Sequence, residues 1–172
     1  MQEYKAGLLV IAPEDEGQQQ NQRLQTILQQ AIAPYETQVW RKSEEFTAIR
    51  QRRVLFVLNL GADGVNLEYQ KLLRKIRTMA DCLEGCVGAV LIDADSELYT
   101  KAVGRELVFA ANQSGCVFPG KPLVEGTASL DNFLVQARNL QTDRMGAYHY
   151  AVEALLDRLM TFEQRLHRQP QI

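Results

Sequence analysis

Five short apolar runs alternate with amphipathic stretches along this chain, and that alternation restricts the fold more than any other feature. Residues 7–11, 37–40, 54–58 and 87–92 read as strands. The third is continuously apolar rather than alternating, the pattern of a central strand covered on both faces. A fifth strand is expected at Cys116-Val117-Phe118, interrupted by Pro119-Gly120-Lys121-Pro122 and resumed at Leu123-Val124-Glu125. Between the strands, residues 20–33 place Leu24, Ile27, Leu28, Ala31 and Ile32 on one helical face before Pro34 ends the run. Ser43 is expected to cap a short helix opening Ser43-Glu44-Glu45-Phe46, and Asn66 to cap a longer one that buries Tyr69, Leu72, Leu73, Ile76 and Met79. An Asp95 or Ser96 cap precedes a helix carrying Leu98, Ala102, Leu107, Val108 and Ala111, which closes at Ser114-Gly115. A last helix runs from Thr142 or Asp143 into the 160s, with Tyr148, Val152, Leu155, Leu156 and Leu159 as its buried stripe.

This order predicts an α/β fold with a parallel sheet, helices on both faces and right-handed crossovers. Five strands in 172 residues fit a single domain of three α/β/α layers, with a five-stranded parallel sheet of order 2-1-3-4-5. The net charge of −2 offers no basic face for nucleic acid. The clusters Arg50, Arg52, Arg53 and Lys71, Arg74, Lys75, Arg77 read as a strand flank and a solvated helix face. Three cysteines, Cys82, Cys86 and Cys116, form no CxxC pair and lie far from His149 and His167. They read as buried thiols of a reducing compartment rather than a disulfide framework or a zinc site. The N-terminus lacks a secretory pattern, and no apolar run approaches the roughly 20 residues of a membrane span. A cytoplasmic protein with no membrane partner is expected.

In such a fold, ligands bind beyond the carboxyl ends of the strands, where the strand order reverses. That crevice lies between the first and third strands, walled by residues 12–20, 60–65 and 93–99. The first wall reads Pro13-Glu14-Asp15-Glu16-Gly17-Gln18-Gln19-Gln20. One carboxylate about 6 Å from a phosphate charge costs roughly 3 kcal/mol at an effective dielectric near 20. An exposed helix N-terminus returns less than about 1 kcal/mol. The acids therefore either solvate the loop and complement the dipoles of the helices they precede, or face a neutral or cationic ligand. A divalent metal held by Asp63, Asp93, Asp95 and Glu97 is a further option, although no spacing here marks a metal loop. Residues 124–133 form a long loop with Thr127 and Ser129. It reads as a packing lid anchored by Leu130 and Phe133, as a phosphate or substrate loop, or as part of a dimer contact near Tyr148, His149 and Tyr150. No nucleophile elbow, recognisable Ser-His-Asp set or Walker loop is present.

At residues 59–73, a strand end, open loop and leucine-containing helix, and at Glu84-Gly85-Cys86-Val87-Gly88-Ala89-Val90, the chain resembles the flavodoxin-like superfamily, and within it the NADPH-dependent FMN reductase branch. The resemblance covers nearly the whole chain in layout. It implies an FMN-linked oxidoreductase in which the flavin supplies the redox chemistry. Aligned on Leu24, the family's phosphate loop, usually Gly-Ser-x-Arg-x-x-Ser, leaves Gln20, Asn21 and Arg23 as side-chain donors. The second loop, often Pro-x-Tyr-Asn, corresponds to Leu60-Gly61-Ala62-Asp63-Gly64, which implies Gly61, Ala62, Asp63 and Gly64 beside the ring. The third, often glycine-rich, is Asp93-Ala94-Asp95-Ser96-Glu97, which implies Asp93, Asp95 and Ser96. All three loops depart from the family's pattern. The alternative expectation is therefore a flavodoxin-like domain that has lost FMN and serves as a binding or assembly module, its crevice filled by its own side chains. A third is another enzyme on the same architecture that uses the acidic loops for a base or ribose hydroxyls. A homodimer is expected, with a small molecule or flavin as ligand if the chain is active.

Overall fold

The apolar runs pair as a parallel sheet whose alternating residues feed two separate cores. The computed structural model describes residues 6–16, 21–61, 64–95, 97–127 and 144–163. The strands are β1 (Leu8–Ile11), β2 (Thr37–Trp40), β3 (Arg53–Asn59), β4 (Val87–Ala94) and β5 (Leu123–Thr127), in the order β2-β1-β3-β4-β5. All pairings are parallel; Val10 faces Val39 on one side and Leu55 on the other, and Leu91 faces Val124. Four helices connect or follow them: α1 (Gln22–Ile32), α2 (Leu67–Thr78), α3 (Glu97–Gln113) and α4 (Arg144–Thr161).

The period of two along each strand sorts the layers. Leu8, Val10, Leu55, Val57, Ala89 and Leu91 pack with Leu24 and Ile27 of α1 and Tyr148, Val152 and Leu155 of α4. Leu9, Ile11, Phe56, Leu58, Val90 and Ile92 pack with Leu72 and Ile76 of α2 and Leu107 and Ala111 of α3. Every residue of β4 is buried, as the continuous apolar run requires of a strand with helices on both faces. The expected three-layer fold and strand order are those observed.

Local details differ in three places. Ser43 does not cap a helix: it lies inside a 3₁₀ turn, Ser43–Glu45, that begins after Lys42. The Glu45 carboxylate accepts from the Lys42 and Arg41 amides at 3.1 and 3.2 Å, and the Ser43 amide is taken by Glu68 at 2.9 Å. The fifth strand is the expected continuation, not its start. Val117 makes one isolated bridge to Val87, and Pro119, without an amide hydrogen, cannot extend it. The expected loop of residues 124–133 begins as strand through Thr127; the rest lies outside the described residues.

The three cysteines are free and fully buried, and burial raises each thiol pKa. Among the described residues, no helix is long and apolar enough to cross a membrane.

Candidate functional site

Asp93 is a carboxylate placed where the sheet is otherwise apolar, so it must find partners or neutralise. It sits one residue before the end of β4, fully buried, and the strand's alternation points it at the α1 and α4 layer. Arg23, in the first turn of α1, supplies the counter-charge. Its Nε donates to Asp93 Oδ2 at 2.9 Å, and its Nη2 to Oδ1 at 2.5 Å and to the Ala94 carbonyl at 3.1 Å. The Tyr148 hydroxyl of α4 donates to Oδ2 at 3.1 Å. The Asn21 amide completes the group: Nδ2 lies 3.4 Å from Asp93 Oδ1, or, turned over, its oxygen accepts from Arg23 Nη2 at 3.1 Å.

Gly126 makes room for this arrangement. It is the β5 neighbour of Asp93, and a Cβ there would lie 2.7 Å from Asp93 Oδ2 and from Tyr148 Cζ and Oη. Burial pushes the Asp93 carboxyl above its ordinary range, against the opposing pull of Arg23 and Tyr148. The Tyr148 phenol is pushed far up, by burial first and then by the Asp93 charge, and stays a donor.

Topology shows what this pair spans. Helix α1 leaves β1, and β3 lies between β1 and β4. Arg23 therefore reaches across the crevice at the strand-order reversal to hold the end of β4.

The acidic first loop is tied down on the opposite face. Asp15 accepts from the Leu67 and Glu68 amides at 2.9 and 2.7 Å, so its carboxylate satisfies two orphan amides of α2, not of the α1 helix it precedes. Asn66, the expected cap of α2, accepts from the Tyr69 amide and donates to the carbonyls of Pro13 and Asn59 at 2.9 and 3.0 Å. Glu14 pairs with Arg41 at 3.2 Å, and its carbonyl accepts from Lys42 Nζ. The first loop is thus fastened to the end of β2 and the start of α2.

Aromatic and apolar side chains flank the described part of the second loop. Gly64 has φ +74°, and a Cβ there would meet the Tyr99 ring at 2.6 Å, so the ring lies directly on the second loop. Tyr99, Val65 and Leu67 are 42%, 45% and 60% exposed.

Of the expected site residues, the fold brings Asn21, Arg23 and Asp93 together. Gly61 and Gly64 form the second loop, where the Gly64 amide donates to the Gly61 carbonyl at 2.9 Å, and Asp95 is exposed beyond β4. Gln20, Ala62, Asp63 and Ser96 lie outside the described residues, as do the side chain of Glu97 and Ser129, Leu130 and Phe133 of the long loop. Among the described residues, no group of three or more His, Cys, Asp or Glu could hold a metal ion. Tyr99 belongs to the expected third wall, whereas the contacts of Tyr148 and Gly126 with Asp93 were not expected. The usable signal was Asp93 itself, a charge closing an otherwise apolar strand.

These residues do not suit the phosphate of FMN. Residues 12–20 contain no Ser or Thr, Arg23 is neutralised by Asp93, and the carboxylates of Glu14 and Asp15 belong to the same loop.

Among solved structures, oxidised flavodoxin 2 from Bacillus cereus matches with a TM-score of 0.57 at 13% identity, covering 89% of this chain and 99% of that one. A short-chain flavodoxin associated with a PDU bacterial microcompartment matches with a TM-score of 0.51 at 11% identity, covering 90% and 98%. No family model and no curated protein matches the sequence. The chain has a flavodoxin-like fold.

Proposed function

We propose that this flavodoxin-like domain does not hold FMN and acts as a binding or assembly module. The observation that carries this reading is the bidentate Arg23–Asp93 pair across the crevice. A phosphate dianion competing for Arg23 would leave a fully buried carboxylate without its counter-charge, a loss on the order of 3–5 kcal/mol. It would also meet the acidic loop. The test is the colour and flavin affinity of the purified protein. A colourless protein with no saturable quenching of added FMN fluorescence is expected. A stoichiometric yellow complex would overturn the reading.

One observation favours a second reading, the NADPH-dependent FMN reductase type of oxidoreductase. The Tyr99 ring lies against Gly64, and the neighbouring Val65 and Leu67 are also exposed, side chains of a kind that pack on a planar ring. The same titration decides between the two, and NADPH oxidation by the flavin-loaded protein would establish the second.

A further inference from the structure

Strand β2 is a four-residue edge strand whose outward side carries no charge, proline or bulge of its own. The Leu8 amide donates to the Glu36 carbonyl and the Ala12 amide to the Trp40 carbonyl, both at 2.8 Å. These bonds fix the parity of the strand: Glu36, Gln38 and Trp40 turn their backbone groups toward β1, and Thr37 and Val39 turn theirs outward. No described residue pairs with those outward groups, since β2 ends the sheet. The strand reads Thr-Gln-Val-Trp, with no charge, proline or bulge to blunt it, and Val39 is 36% exposed.

The flanks of the strand are complementary to themselves. Glu36, exposed and without an ion pair among the described residues, precedes it, and Arg41 and Lys42, which also hold Glu14, follow it. An antiparallel neighbour of the same sequence lays the acidic start of each strand beside the basic end of the other. A parallel neighbour would set like against like.

We propose that two copies of this chain pair edge to edge through β2, antiparallel about Gln38, to form one continuous ten-stranded sheet. Thr37 of each copy exchanges both backbone bonds with Val39 of the other, giving four bonds about a two-fold axis. Gln38 meets Gln38 of the second copy in the close, non-hydrogen-bonded position between them. Glu36 faces Trp40 of the second copy and lies diagonal to its Lys42. Tyr35 faces its Arg41. This pairing does not depend on whether FMN binds.

The experiment is sedimentation equilibrium over a dilution series. The wild-type mass should rise with concentration from 19.5 kDa toward twice that value. Gln38→Lys and Gln38→Glu each place like charges face to face on the axis and should abolish the dimer. Mixing the two variants in equal amounts should restore a heterodimer, because the axis then carries opposite charges. Val39→Pro removes an outward amide hydrogen that β1 does not use and should also give a monomer. Gln38 is exposed, so its variants keep the fold, and circular dichroism checks each one. A wild-type chain that stays monomeric at the highest concentration overturns the proposal. So does a Gln38→Lys variant that still dimerises, or a mixture that fails to reassociate.

Discussion

Replacing Arg23 by alanine tests the structural reasoning most directly, because it removes the counter-charge of a carboxylate with no exposure. The Asp93 side chain is fully buried and Arg23 is 17% exposed. Breaking a buried pair from one side costs about 3–5 kcal/mol. Tyr148 and Asn21 stay in place and water can enter beside the partly exposed Arg23 position, so the low end, about 3 kcal/mol at pH 7, is expected. For a chain of this size that lowers Tm by about 6–12 °C.

The pH dependence carries a sign. In the wild type, burial already holds the Asp93 carboxyl above its unfolded value. A carboxyl raised on folding makes stability fall as pH rises from the unfolded pKa to the folded one, and stay level beyond it. Arg23→Ala removes the two Arg23 contributions that lower this pKa and extends that window upward. The variant's deficit should therefore be largest near neutrality and shrink toward acid, as Asp93 becomes protonated in both proteins. Arg23→Ala/Asp93→Asn should lose less than the sum of the single changes, with no such pH trend. Urea unfolding at several pH values is the assay. A deficit below about 1 kcal/mol at pH 7, or one unchanged toward acid, would refute the account.

Gly126→Ala should cost about 1–3 kcal/mol, read by thermal melting, because the new methyl falls 2.7 Å from Asp93 and Tyr148. Unchanged stability would mean that this neighbourhood is looser than described. Cys82, Cys86 and Cys116 should resist a thiol-specific chromogenic reagent in the native protein and all react after denaturation, since burial disfavours each thiolate. Prompt native labelling of any of them would contradict their burial.

The layers were legible because they depend on local periods. The continuous run that became β3 required helices on both faces, and the one-sided spacing of Leu24, Ile27, Leu28 and Ala31 gave α1 a single buried face. The Asn66 cap was legible because a cap bonds within its own turn. The choice between residues 116–118 and 123–127 for the fifth strand was not. Both are short and apolar, and what separates them is how many backbone bonds β4 makes with each.

The site follows the same division. The sequence by itself determined that the strand order would reverse between β1 and β3, that the loop after β1 would be acidic, and that Asp93 would close an apolar strand. Only the tertiary structure decided where those charges go. Asp15 serves a helix that begins 52 residues later, and Asp93 meets Arg23 and Tyr148 across 70 and 55 residues. Sequence periodicity reports interactions over a few residues, whereas the pairing of buried charges is set by which strand ends and helix starts the sheet order brings together.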